Sequence, residues 1–243
     1  MLKANHVSKI YEDGTKAITD INLHVQSGDI YGFIGANGAG KSTMIKSIVG
    51  IHPFNEGEIS IDGYSMKNDP VLCKKRMAYI PDTPDLYEHL TGMQYINFIA
   101  DIFEVSLSER ESSIEKYSSL FEMTGKLHHS IASYSHGMKQ RIAVIAALVP
   151  QPSLFILDEP FVGLDPTASF QLKKLMQKHA DNGGAVFFST HVLEVAQKLC
   201  NKVAIIHKGK LVKNGLMEEV AGSKTLEDIF LEVRNESKNM DII

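Results

Sequence analysis

The nine residues "GANGAGKST", Gly35 to Thr43, leave this chain few folds to choose from. They fit the spacing G-x-x-x-x-G-K-[ST] and stand between "IYGFI", an apolar run of strand length, and "KSTMIKSIV", which reads as a helix ending at Gly50. A strand that turns through glycines into a helix aims its free backbone N–H groups at one spot, which suits an anion and above all a phosphate. Gly35, Ala36, Asn37, Gly38, Ala39 and Gly40 then form the cradle, Lys41 reaches the outer phosphates, and Ser42 and Thr43 bring hydroxyls, that of Ser42 as a ligand for Mg²⁺.

The pattern around that loop predicts an α/β fold. Residues 1–30 alternate, with Ile21, Leu23 and Val25 separated by Asn22 and His24, and Asp13-Gly14 offers a turn, so an N-terminal antiparallel sheet is expected. "LFILD" and "AVFFS" are unbroken apolar runs, the mark of parallel strands covered on both faces. From about residue 83 to 152 the period becomes helical: Ile96, Ile99, Ala100 and Phe103 share a face, and Ser108 with Glu111 predicts a capping box. Asp165-Pro166 opens a helix closed by Gly183-Gly184, and "VAIIHKGKLV" reads as a hairpin turning at Lys208-Gly209. The expected organisation is a phosphate-binding core with a mixed sheet and an antiparallel β subdomain (residues 1–82 and 153–225), an inserted α-helical subdomain (83–152), and a C-terminal helix and tail (226–243) whose last dozen residues are polar and expected to fray.

Three further stretches carry chemistry. "LFILDE" delivers Asp158 and Glu159 at the carboxyl end of a buried strand, where open α/β sheets bind ligands. There Asp158 suits a metal-holding role, and Glu159 suits orienting or deprotonating an attacking water. His191 follows "AVFFST" and leaves the same sheet edge if the two strands are parallel neighbours; it is either a γ-phosphate contact or a solvated histidine. "YSHGMKQR" sets Ser135 before a helix with Met138, Ile142, Ile145 and Val149 on one side, so Ser135 is either an ordinary cap facing water or the rim of a second anion site.

Composition removes several alternatives. The 25 lysines and arginines are outnumbered by 29 acidic residues, for a net charge of −4, so no basic excess argues for nucleic acid. Cys73 and Cys200 stand far apart with no Cys/His spacing, which supports neither a disulfide framework nor a zinc site, and the adjacent His128 and His129 point apart. No signal peptide is evident, and the longest apolar run, "IAVIAALVP", is too short to span a bilayer. Work at a membrane would require another chain to cross it.

With these residues in order, the chain resembles the nucleotide-binding subunit of an ATP-binding-cassette (ABC) transporter over nearly its whole length, which implies a P-loop NTPase core. Gly35–Ser42 matches the Walker A motif, Leu154–Glu159 the Walker B motif, "YSHGMKQR" the signature, "VGLD" the D-loop and His191 the switch histidine. The resemblance implies ATP and Mg²⁺ as cofactors, Glu159, His191 and Lys41 as catalytic residues, and Tyr11 as the aromatic that stacks on adenine, where a sheet-packing tyrosine is the alternative. It also implies a second nucleotide-binding subunit, most simply another copy of this chain, paired head to tail. Ser135 and the Gly137 amide would then close on ATP held by the partner, and a transmembrane permease would place the pair at the inner face of the cell membrane.

Four positions depart from the family pattern: Tyr134, His136 and Met138 replace the first, third and fifth residues of the usual signature Leu-Ser-Gly-Gly-Gln, and Asp82 is the fourth. His136 replaces the first glycine of the signature, leaving either a neutral spacer or a pH-dependent attraction for phosphate. Asp82 stands where a glutamine is usual and is either a shorter-reaching group near Mg²⁺ or a simple loop acid. "PDTPDLYEHLTG" and "TLEDIFLEV" are similar to small bacterial export-type systems, including the bacitracin-resistance and Ecs branches. Export with a permease is the leading expectation; a soluble assembly or regulatory ATPase without transport is the alternative.

Overall fold

The computed structural model describes residues 1–240, with side chains described through residue 233. β1 (Leu2–Ile10) and β2 (Lys16–Val25) form an antiparallel pair in which Leu2 faces Val25 and Ala4 faces Leu23. The expected alternation is present, since Ile21, Leu23 and Val25 are buried while His24 is exposed. The chain then leaves this sheet as β3 (Ile30–Ile34), turns through the glycine loop into α1 (Lys41–Ile48), and returns as β4 (Glu56–Ile61) and β5 (Tyr64–Ser65). The first sheet is thus four antiparallel strands in the order β2-β1-β4-β5.

α2 (Pro70–Lys74) leads to β6 (Met77–Ile80), after which come α3 (Gly92–Ile102), α4 (Leu107–Leu120) and α5 (His136–Leu148) before β7 (Leu154–Leu157). α6 (Pro166–Asp181), β8 (Ala185–Thr190), α7 (Leu193–Leu199), β9 (Lys202–His207), β10 (Lys210–Leu216), α8 (Met217–Ala221) and α9 (Leu226–Met240) complete the described chain. The second sheet is mixed, in the order β10-β9-β3-β8-β7-β6; β10 is antiparallel to β9 and every other pair is parallel. The expectation for the last dozen residues lies largely outside the described side chains.

Both faces of this sheet are covered, which explains its unbroken apolar strands. Phe155, Leu157, Val186 and Phe188 pack with the helices α3, α4 and α5, while Leu154, Ile156, Ala185 and Phe187 pack with α1 and the antiparallel sheet. Successive residues of a strand point to opposite faces, so two hydrophobic cores share one sheet. Fully burying each large side chain here contributes about 1.5–3 kcal/mol, enough to fix the register on which the strand ends depend.

One local expectation is corrected. α4 is capped by Ser106, whose hydroxyl accepts from the Glu109 N–H, and not by Ser108 with Glu111. Arg110 decides between the two: from the first turn it reaches Asn97 at 3.3 Å, Asp101 at 2.5 Å and the Val105 carbonyl at 3.2 Å, ties that a helix starting two residues later would forfeit.

Candidate functional site

The carboxyl ends of the parallel strands β3, β7 and β8 lie side by side, and the sequence places a loop bearing polar groups on each. α1 has no side-chain cap; its N-cap is Gly40 at φ 110°. That backbone suits glycine alone, and a β-carbon there would lie 2.8 Å from the Ala17 carbonyl oxygen. The first turn therefore keeps its backbone donors for a ligand. Lys41, only 6% exposed, folds back over the loop: its ammonium donates to the carbonyls of Gly35 at 2.8 Å and Ala36 at 3.3 Å.

Across from Lys41 are the two carboxylates. Asp158 is 1% exposed, and its Oδ1 accepts from the Ser189 hydroxyl at 2.5 Å, while its Oδ2 has no hydrogen-bond partner. Glu159 adopts φ 47°, a left-handed conformation that a non-glycine residue holds only where its surroundings impose it. Its N–H donates to Ser189 Oγ at 3.0 Å. Its Oε2 lies 3.0 Å from His191 Nδ1 and accepts from the His191 N–H at 3.3 Å. Its Oε1 lies 3.3 Å from the Lys41 ammonium, an ion pair without hydrogen-bond geometry. The parallel register of β7 and β8, with Leu157 beside Phe188, is what carries His191 to Glu159.

Ser189 was not among the residues singled out from sequence, although it ties both carboxylates together. The available signal was a hydroxyl at the end of an otherwise apolar strand, "AVFFS", where burial requires every polar group to find a partner.

α5 begins differently. Ser135, exposed, caps it by accepting from the Met138 N–H at 3.3 Å. Gly137 in the first turn approaches the Gly163 carbonyl, since a β-carbon there would sit 3.4 Å from it. No described contact joins Ser135 or Gly137 to residues 35–43. Ser135 and Gly137 thus stand apart from the cluster that Lys41, Asp158, Glu159 and His191 make, while Arg141, one turn further along α5, pairs with Asp165, the N-cap of α6.

Tyr11 is brought to the glycine loop: its hydroxyl lies 3.2 Å from Thr43 Oγ1 and its ring meets His52 edge-on at 5.9 Å. Ser42 is exposed at the first turn of α1. Asp82 follows β6 at the same sheet edge, but it is exposed and its Oδ1 accepts from the Thr83 N–H at 2.9 Å. Beside that segment a cavity of about 310 Å³ opens between β6 and the helices, lined by Tyr79, Pro84, Tyr95, Ile99, Phe103 and Ala143.

Residues 18–162 match the family model described as ABC transporter. The chain is 34% identical over 224 residues to the ABC-type transporter ATP-binding protein EcsA of Bacillus subtilis, covering 90% of this chain and 91% of that protein. A solved structure of the ATP-binding subunit of an ABC transporter superposes with a TM-score of 0.92 at 32% identity, over 96% of this chain and 99% of that one. A dimeric ATP-binding cassette, solved in a post-hydrolysis state with ADP and Pi, shares the fold with a TM-score of 0.80 at 23% identity, over 89% of this chain and 99% of that one.

Proposed function

The chain belongs to the ABC transporter family of ATP-binding ATPases, and on that premise we propose that it is the motor subunit of an exporter whose membrane-crossing part is a separate chain. The observation that carries the catalytic half is the cluster at the strand ends, where Lys41 and His191 approach the two oxygens of Glu159 and Ser189 joins Glu159 to Asp158.

In this reading the amides of Gly35–Gly40 surround the β-phosphate and Lys41 exchanges its Gly35 and Ala36 carbonyls for phosphate oxygens. Glu159, held at Oε2 by His191, aligns the water that attacks the γ-phosphate and takes its proton. Tyr11 stacks on adenine. The buried, unpartnered Oδ2 of Asp158 and the exposed hydroxyl of Ser42 fit Mg²⁺, with Asp82 able to approach from the neighbouring strand end. Among the described residues no group of three or more His, Cys, Asp or Glu could hold a metal ion, so phosphate oxygens and water complete the set. When bound, the ion neutralises charge that develops between the β- and γ-phosphates.

Ser135 is exposed and no described contact joins it or Gly137 to residues 35–43, which supports a pair in which the α5 end of one copy seals ATP held by the other. Among the described residues no helix is long and apolar enough to cross a membrane. The cavity beside Tyr95 and Phe103 has room for a few apolar side chains presented by a permease segment, and through that contact the pair would sit at the inner face of the membrane. Outward transport rests on the likeness of "PDTPDLYEHLTG" and "TLEDIFLEV" to export-type systems.

Glu159→Gln tests the site and the pairing together. ATP binding should persist, turnover should fall roughly 10²–10⁴-fold, and dimer should accumulate under saturating MgATP. Unchanged hydrolysis would remove Glu159 from the role of base; a variant that stays monomeric, alone and with a membrane companion, would overturn the pairing. Copurification of wild type from membranes with a multi-span protein supports the motor, and recovery only in the soluble fraction favours the assembly factor.

A further inference from the structure

His136 is the first residue of α5, and its imidazole is seated on Gly163. A β-carbon built on Gly163 would fall 2.6 Å from His136 Cδ2 and 2.7 Å from Nε2, so the ring edge occupies the space where only a hydrogen fits. Gly163 has φ 79°, within the left-handed region, so its lack of a side chain serves both the turn and the ring. The contact is reciprocal, because Gly137 in turn lies against the Gly163 carbonyl.

The stretch that carries Gly163 begins at Glu159 and is fastened along its length. The Val162 N–H donates to the Glu159 carbonyl at 3.1 Å, closing a turn directly after the carboxylate. At its far end Asp165 accepts from the Ala168 N–H at 2.9 Å and pairs with Arg141 of α5. Arg141 is itself held by the Phe121 carbonyl at 3.1 Å. The start of α5 and the run from Glu159 to Asp165 are therefore joined at His136–Gly163 and at Arg141–Asp165, and with so tight a turn a shift of the helix end reaches the backbone of Glu159. Glu159 is sensitive to such a shift because its φ of 47° is held only by what surrounds it.

We propose that His136 is a positioning residue: its ring transmits the seating of a phosphate at the Ser135 end of α5, through Gly163, to the Glu159 of the same chain. This rests on the paired reading above and extends it. In a pair, the Ser135 end touches the partner's nucleotide while Glu159 serves this chain's own, so the His136 contact couples the two hydrolysis sites within each chain. The coupling needs the bulk of the ring on Gly163 and no proton transfer.

Kinetics of purified protein, with its membrane companion where turnover requires it, test this. His136→Gly should lower the Hill coefficient for ATP from about 2 toward 1. It should reduce kcat by about 2- to 30-fold while leaving ATP affinity at the glycine loop unchanged, and amide hydrogen exchange over residues 160–165 should rise. His136→Phe, which keeps a ring over Gly163, should restore most of the cooperativity. Gly163→Asn, tolerated at positive φ, presses on the ring from the other side; it should also reduce the Hill coefficient, and combining it with His136→Gly should cost less than the two effects added. Wild-type cooperativity and exchange in His136→Gly, or simple additivity in the double variant, would overturn the proposal. If the Glu159→Gln/His136→Gly protein still dimerises with MgATP while His136→Gly alone hydrolyses ATP with wild-type cooperativity, only the coupling fails. If Glu159→Gln alone never dimerises, the paired reading fails and takes the coupling with it.

Discussion

The starts of α1 and α5 are both open helix ends suited to phosphate, and they are finished in opposite ways. α1 carries no side-chain cap, begins at a glycine with φ 110°, and is walled by Lys41, Glu159, Asp158 and Ser189, all drawn into the core by three adjacent strands. α5 is capped by its own Ser135, is exposed there, and has Gly163 close against its first turn, where Lys139 is paired with Glu88. A phosphate at the first end meets groups oriented in advance by the fold; at the second it meets a donor array that nothing else in the described chain completes. Preorganisation costs buried polar groups, and the first end contains them: Asp158 Oδ2 and Glu159 Oε1 both lack a hydrogen-bond partner. On the paired reading proposed above, the difference would separate a site that holds a nucleotide from a surface that recognises one already held by the partner.

The comparison can be broken most severely at Lys41. Lys41→Ala removes the one buried cation beside Glu159, and turnover is expected to fall by about 10²–10³-fold, measured as phosphate release with ATP binding followed in parallel. Turnover near wild type would mean that the backbone amides of α1 suffice, which would make the two ends alike.

Ser189→Ala leaves the Glu159 N–H and Asp158 Oδ1 without their shared partner. Denaturant unfolding should show a loss of about 1–3 kcal/mol, together with slower turnover. A variant as stable and active as wild type would show that the carboxylates are not positioned through this hydroxyl. Ser135→Ala is expected to cost only about 1 kcal/mol of stability through the lost cap, and Ser135→Gly a few tenths. ATP-driven pairing should weaken in both, because the hydroxyl is gone in both; pairing that follows cap strength instead would reduce Ser135 to an ordinary cap.

The smallest effect lies away from both ends and gives them a baseline. His179 is stacked on Phe155 at 4.0 Å with its Nε2 3.1 Å from the Ser153 carbonyl, and burial holds its pKa below the ordinary 6.5. The folded chain therefore binds this proton less readily than the unfolded chain. Stability is full above the unfolded value and declines as pH falls through about 6.5. His179→Phe should flatten that decline in thermal unfolding between pH 7 and 5 without altering either helix end, and the Ser153 carbonyl keeps the Ala185 N–H as a donor. An unchanged slope would assign the acid sensitivity to other groups.

Much of this was readable beforehand, and what was not has a common cause. The alternation of Ile21, Leu23 and Val25 gives a strand, and the apolar runs at Leu154 and Ala185 give covered parallel strands. Each is a local period imposed by the backbone. Ser106 and Ser108 each stand three residues before a glutamate, so spacing alone could not choose the α4 cap; Arg110, bonded to Asn97 and Asp101 on α3, did. Tyr11 could have packed anywhere in its sheet until α1 brought Thr43 within 3.2 Å of it.

The glycine spacing, the strand and helix on either side of it, and the acidic residues at a strand end follow from the sequence by itself. Steric limits on φ and the fixed periods of strand and helix act within a few residues, so neighbouring residues suffice to reveal them. That Ser189 spans Asp158 and Glu159, that His191 reaches Glu159, and that His136 lies on Gly163 were decided only by tertiary structure. Those meetings depend on which strands become neighbours and in what register, and that is set by the joint burial of two cores across one sheet.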